Sequence, residues 1–341
     1  MDGLTAGVGT RGGGRPGRAG FGCWPVLALF STLLVAAACD QGPRALELRE
    51  DDRAGLLEIL VSGREALAFR YGPDLDLPHF WPLNSPSGRN MLVEHPQPYP
   101  HHRAFWVADT VRLGSGRGVS TYMAYVTGTK LSEDSYGPPF RDRVRHAAFT
   151  RLESLGNRAR VDESLVWEMD GNVALLDERR RIVIHALSDG EYLVDLTFTL
   201  TASYEEVTFV SDDVHYAWPY LRLRPAFSGE NGGIITADDG RTGEKATTMQ
   251  PALWIDYSNT VDGVTEGVAV FQWPDGLVHR WLTREYGTFG PRRPDERSGK
   301  PFILKKGESI SQRVAVLVHR GDVETGWVAD RYARFIAGAW R

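Results

Sequence analysis

The sequence predicts an all-β chain: an antiparallel β-sandwich or supersandwich with one C-terminal helix. Three observations carry that expectation. Apolar residues alternate with polar ones in 161–169, where Val161, Leu165, Trp167 and Met169 are set against Asp162, Ser164 and Glu168. They do so again in 194–200, where Val194, Leu196, Phe198 and Leu200 are set against Asp195, Thr197 and Thr199. Asp170-Gly171 and Asp189-Gly190 stand beside these runs, and Asp-Gly is a strong hairpin signal because both residues tolerate positive φ. Near the C-terminus the period changes. Val323, Trp327, Val328, Tyr332, Phe335, Ile336 and Trp340 fall at helical spacing behind Asp322, a suitable cap.

Taken from the N-terminus, residues 1–23 carry Arg11, Arg15 and Arg18 among glycines, and an uncharged run, 24–38, leads to Cys39 and Asp40. A basic region, an apolar stretch and small residues before a break predict a signal segment over 1–38. The run is shorter than the ~20 residues of a membrane span. Ala36-Ala37-Ala38-Cys39 resembles a bacterial lipobox. Cys39 is therefore the expected lipidated N-terminus of a chain anchored in the cell envelope and facing the periplasm; simple cleavage and secretion is the alternative. Cys23 and Cys39 are the only cysteines, so the mature domain is expected to lack disulfides, thiolate metal sites and cysteine nucleophiles.

Residues 39–55 are polar and charged and suit a tether or a first edge strand, and 56–341 read as one sandwich domain without a composition break or internal repeat. Residues 267–273 read as a strand running into the turn Pro274-Asp275-Gly276, and 309–318 (SISQRVAVLV) as another. Residues 128–146 and 228–250 are rich in glycine, polar and charged residues and are expected to be long loops, where sandwiches build their sites.

Four groups of residues are equipped for chemistry. Residues 79–106 hold His79, His95, His101 and His102 in a proline-punctuated stretch. Imidazole titrates near neutrality, which suits acid/base work; a metal site using His95 with one of the pair, and histidines that only satisfy backbone groups, are the other readings. Neighbouring residues on extended chain point to opposite sides, so His101 and His102 share a site only where the backbone turns. In 175–184 (LLDERRRIVI), Glu178 and Arg180 share the face of Leu176, Ile182 and Ile184. Charge on an apolar face must be paired or functional, unless a bulge flips the register. In Trp254-Ile255-Asp256-Tyr257-Ser258, Asp256 and Tyr257 face opposite ways, so only part of the group lines a cleft. In 279–290 (HRWLTREYGTFG), His279, Trp281, Arg284 and Tyr286 offer an acid/base group, a stacking surface, a fixed charge and a phenol, or simply core aromatics.

The ordered motifs PLNSPSGRN, YPHHRAFW, DGNVALLDERR, ALWIDYS and HRWLTREYGTFG, followed by FILKKGESISQRVAVLVHRGD, run from about residue 57 to 322. Together they resemble a bacterial family whose members are labelled methane oxygenase PmoA. The resemblance implies a β-sandwich with a role in sugar catabolism. The family's pattern has a histidine two residues before the His pair where this chain has Tyr99, which disfavours a three-histidine metal site. The label's activity is rejected: a methane monooxygenase subunit of that name is an integral membrane protein, and the mature chain has no apolar run near ~20 residues. Galactose-mutarotase-like aldose epimerases offer a looser, fold-level analogy.

A formal net charge of −5 argues against a nucleic-acid partner, and abundant aromatics exclude intrinsic disorder. GxSxG, HExxH, Walker and dinucleotide motifs are missing, which disfavours the hydrolases, zincins, kinases and NAD enzymes that use them. The expected function is that of a secreted or lipid-anchored carbohydrate-active protein. It would perform acid/base chemistry on a sugar or glycoside: epimerisation, elimination or glycoside cleavage. His101 or His102 would transfer the proton, opposite Glu178 or His279. Arg103, Arg284 and Asp256 would hold substrate, and Trp106, Trp281 and Tyr286 would stack on it. The alternatives are a non-catalytic glycan-binding lipoprotein and a metal enzyme in which two or more of His95, His101, His102 and His279 converge. No cofactor is expected, and the only membrane contact would be through the anchor.

Overall fold

The computed structural model describes residues 45–126, 138–210, 216–293 and 300–340. The signal segment 1–38, Cys39 and the first part of the tether lie outside the described residues. The first sheet has the order β1 (Leu46–Asp51), β2 (Leu56–Val61), β3 (Arg64–Arg70), β4 (His79–Leu83), β5 (Phe105–Trp106), β13 (Tyr220–Arg222), β18 (Thr288–Pro291), β17 (Trp281–Arg284). The second has the order β14 (Ile234–Ala237), β15 (Trp254–Val261), β16 (Val264–Gln272), β20 (Ser309–Arg320), β11 (Tyr192–Thr201), β10 (Val173–Ala186), β9 (Arg158–Met169), β8 (Arg143–Leu155). A small third sheet joins β19 (Phe302–Leu304), β12 (Val207–Phe209), β6 (Thr110–Leu113) and β7 (Gly118–Ser120). Neighbouring strands pair antiparallel throughout. The helices are α1 (Glu244–Thr247) and α2 (Val328–Ile336).

The two large sheets close on one apolar core. Leu57, Phe69, Phe105, Leu221 and Phe289 come from the first sheet, and Val161, Trp167, Ile182, Phe198, Val270 and Val316 from the second. Burying apolar surface at roughly 25 cal/mol per Å² is the driving force, and the period-2 alternation is what delivers it to one face. Tyr257 of the second sheet meets Phe289 of the first at 4.3 Å between ring centroids, and the Tyr192 hydroxyl lies 2.8 Å from the carbonyl oxygens of Ala66 and Asn84. The turn Asp170-Gly171-Asn172 joins β9 to β10, with Asp170 and Gly171 at positive φ (52° and 86°) and the Asn172 N–H donating to the Met169 carbonyl (3.2 Å).

The last strand of the chain, β20, sits in the middle of the second sheet, between β16 and β11. Its first half alternates in burial, while Val314 to His319 are buried on both faces. Val314, Val316 and Val318 face the main core; Ala315 and Leu317 face outward, with Leu193, Trp254, Ala269 and Phe271. On that outer face α2 lies with Val328, Tyr332 and Phe335 against the sheet.

Several expected element boundaries need correction. The helix begins at Val328, later than the helical spacing suggests. Asp322 Oδ1 accepts the backbone N–H groups of Glu324 (3.2 Å) and Thr325 (2.8 Å) and so closes a separate turn. Gly326 then packs against the His319 ring where a Cβ would collide, and Trp327 is left-handed (φ 53°). The stretch 228–250 is not one loop: Ile234–Ala237 extends the second sheet beside β15, and Glu244–Thr247 forms a helical turn. Of 128–146, residues 143–146 begin β8 and 128–137 lie outside the described residues. Within 39–55, residues 46–51 form β1, paired with β2 at the edge of the first sheet.

Candidate functional site

Alternation in the first sheet turns Phe105, Leu221 and Phe289 to one side and Trp106, Tyr220 and Arg222 to the other, with Trp106 and Tyr220 still buried as part of the same apolar cluster. Register sets Tyr220 opposite Trp106, and the two rings stack 4.8 Å apart at 10°. The chain between β4 and β5 folds back over this face. His95 is left-handed (φ 49°), its N–H donates to the His102 carbonyl (2.9 Å), and the His102 N–H donates to the Tyr99 carbonyl (3.0 Å). That turn brings His101 and His102 together, with ring centroids 4.6 Å apart and edge to face. Tyr99 stacks on His102 at 5.0 Å and 15°. From the β17–β18 turn, Tyr286 approaches Tyr99 (5.2 Å), and the Arg222 guanidinium lies over the Tyr286 ring at 4.5 Å.

The result is a box. Its floor, His102, Trp106, Tyr220 and Arg222, is buried; its rim, Tyr99, His101 and Tyr286, is half-buried. Four floor nitrogens, His102 Nδ1, Trp106 Nε1, and Arg222 Nε and Nη1, are buried without a hydrogen-bond partner. Buried polar atoms in native proteins are overwhelmingly satisfied, so four orphans in one cluster mark a place built for something else to supply the partners. Burial, then His101 and Arg222, push the His102 imidazole down to about 3. Burial and then Arg103 lower His101; burial also lowers Arg222, and burial and then Tyr99 raise Tyr286. The site therefore holds neutral imidazoles beside one guanidinium.

Of the residues the sequence singled out, His101, His102, Trp106 and Tyr286 meet here. Others are placed elsewhere and are engaged. Arg103 is buried in an ion pair with Asp76 and donates to His95 Nε2 (3.0 Å), whose Nδ1–H donates to the Pro100 carbonyl (2.7 Å). Arg103 is thus part of the loop's own framework, and His95 is tied down with it. Glu178 is in the core, where Oε2 accepts Trp167 Nε1–H (2.8 Å) and Oε1 accepts Arg180 Nε–H (2.6 Å). Its place on the apolar face is real, with no register flip there, and pairing is what makes it tolerable. His279 Nδ1–H donates to the Arg292 carbonyl (2.9 Å), its Nε2 lies 3.2 Å from the Asp275 carboxylate, and its backbone N–H donates to Gln272 Oε1 (2.9 Å). Trp281 is a core residue donating to the Ala252 carbonyl (2.7 Å). Arg284 spans Thr248, the Thr283 carbonyl and Glu244. Asp256 pairs with His319 (2.8 Å) beneath the start of α2. Among the described residues no group of three His, Cys, Asp or Glu side chains is arranged to hold a metal.

Tyr99, Tyr220 and Arg222 are the residues that sequence reasoning left out of its site. Tyr99 was visible as a departure from a family pattern. Tyr220-Leu221-Arg222 is three residues long, too short for its alternation to register.

Among solved structures, the chain is similar to an α-galactosidase of glycoside hydrolase family 36, AgaA from Geobacillus stearothermophilus (9% identity, TM-score 0.40, 82% of this chain and 41% of that one). It is also similar to galactose 1-epimerase from Lactobacillus acidophilus NCFM (10%, 0.34, 81% and 99%) and to heparan sulfate lyase HepC from Pedobacter heparinus (10%, 0.36, 81% and 37%). The chain spans about two fifths of the length of that α-galactosidase. No curated protein matches it. A family model described as a family of unknown function, DUF6807, matches residues 56–333.

Proposed function

The chain belongs to the DUF6807 family of unknown function, and from that premise and the box around His102 we propose a carbohydrate-active protein that transfers a proton on a bound sugar. The observation that carries this reading is the buried, unpartnered Nδ1 of a neutral His102 among stacked aromatic rings. Sugar rings present C–H faces that pack on aromatics, and hydroxyls that satisfy N–H groups such as that of Trp106. Tyr99, Trp106 and Tyr286 form the stacking walls. His102 takes the proton from carbon; the electron pair left behind is then either reprotonated from water on the opposite face, which epimerises the centre, or forms a double bond as a β-oxygen leaves, which is elimination. A histidine held far below neutrality is a poor reservoir of protons, so base-initiated epimerisation or elimination fits better than glycoside cleavage, which starts by protonating a leaving oxygen. Neither Glu178 nor His279 is the opposite group, since both are engaged elsewhere. The resemblance to the PmoA-labelled proteins is read here as sugar catabolism. Lipidation at Cys39, with the domain facing the periplasm, is part of the same proposal and rests on the sequence before it.

The test is to incubate the protein in D₂O with aldoses, uronates, glycosides and 3-keto-glycosides, following deuterium entry into C–H positions and new double bonds by NMR. His102→Gln is expected to slow the reaction by ~10²–10⁴-fold with little change in melting temperature. Binding without exchange in any sugar would move the reading to a glycan-binding module that uses the same rings. Neither binding nor exchange would remove it.

A further inference from the structure

The floor of the box contains a charge that makes no ion pair with any carboxylate among the described residues. Arg222 is 5% exposed, and no hydrogen bond is made to its guanidinium among the described residues. Its guanidinium lies over the face of Tyr286, 4.5 Å from the ring centroid, a cation–π contact that carries no negative charge. Two other buried arginines are ion-paired inside the fold: Arg103 has Asp76, and Arg180 has Glu178. Glu230, the nearest carboxylate influence on Arg222, is exposed and makes no ion pair with it. An isolated buried cation is costly, and a fold keeps one where a ligand supplies the counter-charge.

We propose that the sugar bound in this box is an acidic one, a uronate or related sugar acid whose carboxylate pairs with Arg222 while its ring lies against Tyr99, Trp106 and Tyr286. This rests on the reading of the box as a sugar site and narrows it. A planar carboxylate takes two guanidinium N–H groups at once, which a hydroxyl does not. One fixed positive charge with neutral imidazoles around it matches a single negative charge better than a phosphate dianion. Charge pairing also has a chemical consequence. Arg222 is one of the three influences that hold His102 low, after burial and His101. Neutralising it strengthens the base only once the acidic substrate is seated. A carboxylate further acidifies the adjacent C–H, the proton that a neutral base would take.

The proposal is tested by calorimetry on the intact protein with matched pairs differing only at C6: D-glucuronate and D-glucose, D-galacturonate and D-galactose, with D-glucose 6-phosphate alongside. The expected result is that at least one uronate binds tenfold or more tighter than its neutral partner. Arg222→Gln should reduce that uronate to the neutral sugar's affinity, and Arg222→Lys should keep part of the preference. Without ligand, Arg222→Gln should melt no lower than wild type, because the charge it removes is unpaired; the uronate should raise the melting temperature of wild type alone. Neutral sugars binding as well as uronates, with Tyr286→Ala weakening both alike, would overturn the acidic assignment and leave the sugar reading standing. Tighter binding of the phosphate, or a uronate preference that survives Arg222→Gln, would also overturn it. If no member of any pair binds, both readings fail.

Discussion

Burial, His101 and Arg222 push His102 down to about 3 in the folded chain, against an ordinary value of 6.5. Between those values the unfolded chain binds the extra proton, so the His102 contribution leaves stability flat above about 6.5 and lowers it as pH falls toward 3. Buried His185, pushed down to about 4 by burial and then Arg158, acts in the same direction. His102→Phe should therefore weaken the loss of stability between pH 7 and pH 4 without abolishing it, as read from urea midpoints at the two pH values. An unchanged pH dependence would mean that His102 is hydrated. At Glu178 the expectation is a structural penalty. Glu178→Ala strands Arg180 in the core and should cost about 3–5 kcal/mol, whereas Glu178→Leu with Arg180→Met should recover much of it. Full stability with lost activity in the single variant would return Glu178 to the site. Sequence reading placed both charges on the apolar face correctly; it had no means of seeing the Trp167 indole and Pro78 carbonyl, supplied by other segments, that make the pair a core element. The same limit hid Arg222, whose lack of a partner is a property of the loop and turn around it.

Elements were legible where one face alone is buried. Strand β9 and, from Val194 on, β11 show alternation because their other faces are only partly buried, whereas Leu193 at the start of β11 lies under α2. The second half of β20 reads as a continuous apolar run because α2 covers its outer side, and the helix that does so begins where Gly326 and left-handed Trp327 allow, which no spacing reveals. The loop over the box was foreseen as proline-rich chain, but its turn at Tyr99–His102 decides that the two histidines share a site. Two variants measure the role of α2. Phe335→Ala removes a ring buried against Phe271 and should cost about 3–5 kcal/mol, while Trp327→Ala, 64% exposed, should stay within ~0.5 kcal/mol. Equal effects on denaturant midpoints would show that the helix does not seal that face.

For the whole molecule, cysteine usage yields a simple expectation. Residues 40–341 contain no cysteine, so the melting temperature of a chain beginning after Cys39 should not respond to a thiol reductant. Cys39→Ser should release the protein from membranes while leaving that melting temperature unchanged; wild type already found in the soluble fraction with an unmodified N-terminus would refute the anchor. The position of β20 bears on how the chain is made. It is the last strand to leave the ribosome and the middle strand of its sheet, so until about residue 320 has emerged the sheet exists as two halves, each ending in an open edge, at β16 and at β11. Early translation products can form the β8–β11 meander, but not the finished sandwich. A premature stop before residue 309 would yield two unmatched ribbons, a substrate for chaperones and proteases.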